Sequence, residues 1–151
     1  MRTYLVVLDE TEEARAALRF ASRRAAKTGG ALHLLALVPR QEFVAFGGVQ
    51  ATIAEEAHAR AETLVTALAG DVFSESGRMP VIAVRRGEAI RVVTDYLAEH
   101  PEVAALVLGA GTDGAPGPLV TWFAGNGIGT LPCPLYIVPP SLDEDRLDDL
   151  S

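Results

Sequence analysis

The chain has 151 residues and a mass of 16.0 kDa, a length typical of one domain. Its composition, 49% apolar and 22% charged, excludes a disordered or collagen-like chain and predicts a folded, soluble domain. Thirteen basic residues against twenty acidic ones give a net charge of −7, which argues against nucleic acid and anionic membrane surfaces as partners.

The first half of the chain predicts two strands that alternate with two helices. Residues 4–8 form a short apolar run typical of a buried strand, and residues 12–27 show helical apolar spacing that ends before two glycines. A second apolar run covers residues 32–38. Apolar positions at intervals of three or four over residues 53–68 then predict a helix that ends at Gly70.

The second half repeats the alternation. Residues 79–84 and 103–108 are strand candidates, separated by a helix over residues 90–97 that Pro101 terminates. Residues 109–118 are rich in glycine and proline, and a short helix is predicted over residues 119–124. A last strand over residues 135–138 lies between prolines.

Strands that alternate with helical crossovers require a mainly parallel sheet covered on both faces. We therefore expect an α/β fold, a doubly wound, Rossmann-like sandwich with five strands, built as one domain over residues 1–140. Residues 141–151 carry five acidic side chains and one arginine, and we expect them to be an acidic, flexible tail.

In an open α/β sheet, ligands bind beyond the carboxyl ends of the strands, so the loops after the strands are the candidate site. Asp9 follows the first strand, and the glycine-rich segment 109–117 follows the fourth. Converging N–H groups of such a loop can bind phosphate, although a loop of this kind is also an ordinary turn. Asp9 is either a ligand to a nucleobase or ribose, or the cap of the following helix.

Several chemistries have no support in the sequence. The glycine-rich segment lacks the Gly-Lys-Ser/Thr ending of a P-loop, and no serine lies in a Gly-x-Ser-x-Gly elbow. The three histidines share no metal-ligand spacing, so no metal site and no catalytic residue is predicted. The single cysteine allows no intrachain disulfide, and signal-peptide and membrane-spanning patterns are missing; we expect a cytoplasmic protein.

Five segments, residues 4–9, 32–38, 87–90, 106–109 and 132–138, occur in an order and spacing that resembles the universal stress protein family over residues 1–140. The resemblance implies the strand order 3-2-1-4-5 and a homodimer formed through the fifth strands, here Leu135–Val138. Some members of the family bind ATP between the first and fourth strands, while others bind none.

In nucleotide-binding members, an Asp after the first strand and backbone groups at the end of the second hold adenine, and phosphate lies on a Gly-x2-Gly-x9-Gly-Ser/Thr motif. The residues that correspond here form the hypothetical nucleotide site: Asp9, Val38, Gly109, Gly111, Gly114, Gly125 and Asn126. The motif is altered, since ten residues rather than nine precede Gly125 and Asn126 replaces the hydroxyl residue. Asp113 adds negative charge, so a triphosphate, which would need magnesium, fits less well than AMP or adenosine.

The resemblance favours a regulatory, stress-response module that binds an adenine nucleotide. The alternative is an enzyme, a weak ATP hydrolase or another adenine-nucleotide enzyme of the related α-hydrolase group. The sequence supports the first reading better, because no positioned base, metal-binding carboxylate pair or arginine clamp can be named beside the glycine-rich segment.

Overall fold

The computed structural model describes residues 1–39, 47–112 and 114–151, so the predicted role of Asp113 falls outside the described residues. The strands are β1 (Thr3–Leu8), β2 (Ala31–Pro39), β3 (Val81–Gly87), β4 (Val103–Gly109) and β5 (Leu135–Val138). The helices are α1 (Glu12–Thr28), α2 (Gly47–Ser76), α3 (Ala89–Glu99), α4 (Pro118–Phe123) and α5 (Glu144–Leu150), with a 3₁₀ turn at Ile128–Thr130.

The five strands form one parallel sheet in the order β3-β2-β1-β4-β5, which confirms the predicted fold. The central strand β1 is buried along its whole length, as its continuous apolar sequence requires. Side chains alternate between two cores: Val6 and Leu8 pack with α1 and α2, whereas Leu5 and Val7 pack with α3 and α4. The crossovers after β1 and β4 therefore lie on opposite faces of the sheet, and a crevice opens between these two strands.

Helix α2 does not end at Gly70, where the sequence predicted its end, but continues to Ser76. A glycine inside a helix costs about 1 kcal/mol, an amount that packing can offset. Ala69 and Val72 are buried on either side of Gly70 and continue the apolar face. The helix ends instead at Gly77, whose φ of 72° is left-handed and whose N–H donates to the carbonyl of Phe73 at 2.8 Å.

In the acidic C-terminal segment, α5 packs against α1. Leu147 is buried with 3% of its surface exposed, and Asp148 accepts hydrogen bonds from Arg19 and Arg23 at 2.9–3.2 Å. Lys27 donates to the carbonyl oxygen of Asp148 at 2.6 Å. Repulsion among the acids is offset by this basic stripe of α1, which lies more than a hundred residues away in sequence.

The two edges of the sheet are β3 and β5. Each presents exposed apolar side chains, Val81 and Ile82 on β3 and Ile137 on β5. None of the described helices combines the length and apolar character needed to cross a lipid bilayer.

Candidate functional site

A cavity of about 580 Å³ lies at the carboxyl ends of β1 and β4, where the crossovers diverge. Its volume falls within the range of small-molecule sites. Asp9 and Gly109, which follow or end these two strands, both line it, as do the first turns of α1 and α3 and the start of α4. The structure thus brings together the two segments that the sequence singled out.

Apolar side chains form much of the cavity wall. Val7 and Leu108 come from the two central strands, Leu37 from β2, and Leu119 and Val120 from α4. Such a wall can accept the face of a planar base, since burial of its apolar surface is favourable.

The Asp9 carboxylate is held by Thr11, two residues later in the chain. The N–H of Thr11 donates to Oδ1 of Asp9 at 2.9 Å, and the Thr11 hydroxyl donates to the same oxygen. Thr11, rather than Asp9, is the N-cap of α1, because its side chain accepts from the N–H of Ala14. The turn orients the exposed Asp9 carboxylate, whose Oδ2 can accept a hydrogen bond from a ligand.

Glycine is required at two positions because backbones approach closely. A Cβ on Gly109 would overlap the carbonyl oxygen of Glu13, and one on Gly111 would lie 2.6 Å from the carbonyl oxygen of Ala115. Gly111 also donates its N–H to the carbonyl oxygen of Pro116 at 3.0 Å, which closes the loop on itself. Its N–H is therefore already used and is not available to a phosphate.

The charge of the cavity is negative. Three carboxylates, those of Asp9, Glu13 and Glu88, line it, and no lysine or arginine does so within the described part of the chain. Glu88 also caps α3, accepting from the N–H groups of Ile90 and Arg91 at 3.0 Å. The first N–H groups of α3 are thus already satisfied by a carboxylate, and the site offers acceptors rather than an anion cradle.

Among the described residues, the other predicted site residues do not line the cavity. Val38 is buried in the core on the α1 and α2 face, while Leu37, one residue earlier and on the opposite face, lines the cavity. Gly114 adopts a left-handed φ of 76° in the loop. Gly125 donates its N–H to Trp122 in the turn after α4, and Asn126 beside it is exposed.

Sequence reasoning missed Glu13 and Glu88 as cavity residues. Each lies at the start of a helix that directly follows a strand. In a parallel sheet, the starts of such helices lie together at the carboxyl edge of the sheet. That position, rather than any motif, was the available signal.

Comparison with known proteins agrees with the fold and strand order of this chain. The model of the universal stress protein family matches residues 1–139. The universal stress protein UspA from Lactobacillus plantarum has 22% identity and a TM-score of 0.77, with 91% of this chain and 97% of that chain covered. No curated protein matches this chain by sequence.

Two further solved structures contain nucleotides. A universal stress protein family member from Arabidopsis thaliana with AMP bound has 11% identity and a TM-score of 0.56, with 95% of both chains covered. A universal stress protein in complex with cAMP has 14% identity and a TM-score of 0.51, with 91% of this chain and 96% of that chain covered. At these identities the likeness establishes the fold.

Proposed function

Because the chain belongs to the universal stress protein family, we propose that it is a regulatory module whose crevice binds adenosine or a nucleoside monophosphate in preference to ATP. The observation that carries the proposal is the cavity beside Asp9 and Gly109, which combines an apolar wall with three carboxylates. The AMP and cAMP complexes of two proteins with the same fold support the choice of an adenine ligand.

The adenosine part of the ligand matches the chemistry of the wall. Leu37, Leu108 and Val120 supply apolar surface for the base. Adenine and ribose carry amino and hydroxyl donors, and Asp9 supplies an oriented carboxylate oxygen as acceptor. A hydrogen bond to a charged acceptor contributes about 1.5–3 kcal/mol.

A triphosphate matches the site poorly. Each phosphate would add negative charge near Asp9, Glu13 and Glu88, and two like charges about 4 Å apart repel by about 4 kcal/mol near a protein surface. The N–H of Gly111 is already bonded within the loop. Magnesium would be needed to offset the charge, and the carboxylates are the groups that could hold it.

Isothermal titration of the full chain with adenosine, AMP, cAMP and ATP, each with and without Mg²⁺, tests the proposal. We expect adenosine or AMP to bind more tightly than ATP in the absence of Mg²⁺. Asp9→Asn is expected to weaken adenosine binding about tenfold or more. Asp71→Asn, on the exposed surface of α2, is the matched control and should change nothing.

A second variant tests the electrostatic argument separately. Glu13→Gln removes one cavity charge without removing the Asp9 acceptor, so it should strengthen AMP binding and leave adenosine binding unchanged. Failure of all four ligands to bind the wild-type chain would overturn the proposal. Tighter binding of Mg²⁺-free ATP than of AMP would overturn the stated preference.

We also propose a homodimer formed through β5. This strand is at the edge of the sheet, and its backbone has a partner strand only on the β4 side among the described residues. Ile137 is exposed there, and an open apolar edge favours pairing with a second chain. The single, partly buried Cys133 accords with the cytoplasmic location that we propose for this dimer.

A further inference from the structure

Three side chains with metal-binding atoms meet at the end of the sheet opposite the crevice. His33 lies near the amino end of β2, His100 directly follows α3, and Glu102 directly precedes β4. Their ligand atoms all lie within 4.8 Å of one another. Within the part of the chain that the structure describes, no other group of three such residues meets this criterion.

The three residues are held in place by contacts among themselves and with Tyr96. Nδ1 of His33 is 2.7 Å from the Tyr96 hydroxyl, and Nδ1 of His100 is 2.9 Å from Oε1 of Glu102. The rings of Tyr96 and His100 stack with centroids 4.1 Å apart, and His33 packs edge-on against both. His33 thus keeps Nε2 as the ring nitrogen that Tyr96 does not engage.

The cluster spans the core and the surface. His33 is buried, with 7% of its surface exposed, whereas half of the Glu102 side chain is exposed. Arg85 lies over the Tyr96 ring, but its charge is paired with Glu99 at 2.8 Å.

We propose that His33, His100 and Glu102 bind a divalent metal ion such as Zn²⁺. Tyr96 is the positioning residue for His33. Two imidazoles and one carboxylate are a donor set that zinc accepts, whereas calcium and magnesium prefer oxygen ligands alone. Water completes the fourth position of the tetrahedron.

Tetrahedral zinc with bonds of about 2.0–2.2 Å places its ligand atoms about 3.3 Å apart, and the ligand atoms of the cluster all lie within 4.8 Å of one another. The side chains of Glu102 and His100 are 50% and 29% exposed and have room to move. The metal would then tie β2 to the turn between α3 and β4, and so brace the amino end of the sheet.

The test is titration of the metal-free full chain with Zn²⁺ by calorimetry, and with Co²⁺ by visible absorption, which reports tetrahedral coordination. We expect one Zn²⁺ per chain and a rise in the melting temperature. Glu102→Gln, at an exposed position, and His100→Gln, at a partly exposed one, should abolish the Co²⁺ absorption. Tyr96→Phe should weaken Zn²⁺ binding about 10- to 100-fold, as removal of an outer hydrogen-bond partner does.

His58→Gln is the matched control. His58 also pairs with a glutamate, Glu62 at 2.9 Å, but Arg86 lies 3.4 Å from its other nitrogen. Binding that disappears in His58→Gln but persists in Glu102→Gln would overturn the proposal, as would absence of Zn²⁺ binding. Because the cluster and the crevice lie at opposite ends of the strands, adenosine binding should be the same in all these variants.

Discussion

At the scale of single residues, the backbone around Gly109 leaves no room for a side chain. A Cβ there would overlap the backbone carbonyl of Glu13, and a backbone atom cannot move aside as a flexible side chain can. We expect Gly109→Ala to destabilise the protein by about 1–3 kcal/mol in urea unfolding. Gly70→Ala is the control, because a Cβ added at Gly70 would have no neighbour within 4 Å beyond the backbone of its own helix. Since Gly70 is inside α2, this substitution should stabilise the protein by about 1 kcal/mol.

Equal effects of these two substitutions would contradict the argument, because only one of the glycines is required by close approach. The comparison also separates the two roles of glycine near the crevice. If Gly109→Ala folds with lower stability but binds adenosine normally, Gly109 maintains packing between β4 and α1 and its conformational freedom is not needed for the ligand.

Asp9 and Leu37 mark how far the sequence predicts the candidate site. Asp9 was predictable because it is a polar residue directly after a buried strand. The choice between Leu37 and Val38 depends on which face of β2 each residue occupies, and alternate residues of a strand face opposite sides. A strand that is apolar on both faces contains no pattern that distinguishes them, so the tertiary contacts decide.

At the scale of elements, the docking of α5 depends on one carboxylate and one basic stripe. Hydrogen bonds from Arg19 lower the pKa of Asp148, so its ionised form is favoured in the folded protein. The contribution is fully present above the ordinary aspartate pKa of about 3.9 and is lost as the pH falls through the lower folded value. We therefore expect α5 to lose protection in acid before the sheet does, as hydrogen exchange can measure.

Asp148→Asn should produce the same loss of α5 protection at neutral pH, whereas Asp149→Asn, at an exposed neighbouring position, should not. High salt should weaken docking in the wild-type chain, because the pairs with Arg19 and Arg23 are partly exposed and are screened. Equal protection in both variants would show that Leu147 alone holds the helix.

The limits of β1 and β5 were easier to predict than the end of α2. β1 and β5 are short apolar runs bounded by polar residues or prolines, and each pattern defines its own limits. The end of α2 depends on whether the packing of Val72 offsets the free-energy cost of Gly70 inside the helix. The position of α5 depends on its contacts with α1. A local sequence window does not contain such distant partners: Asp148 is 129 residues from Arg19, and His100 is 67 residues from His33, which hid the metal-binding cluster as well.

At the scale of the whole molecule, the two edges of the sheet provide a test of the proposed dimer. Ile137→Lys places a charge on β5 and should convert a dimer into a monomer in sedimentation equilibrium. Val81→Lys places the same charge on the exposed opposite edge, β3, and should leave the dimer intact. A monomeric wild-type chain, or dissociation by the β3 variant instead, would show that β5 is not the interface.

The position of β1 in the centre of the sheet has a kinetic consequence. Tyr4 pairs in register with Ala105, so β1 leaves the ribosome about a hundred residues ahead of one of its two neighbouring strands. Closing so long a loop is slow compared with forming local contacts. During synthesis β1 and β2 can pair first, and the other edge of β1 remains open to unwanted pairing until β4 emerges.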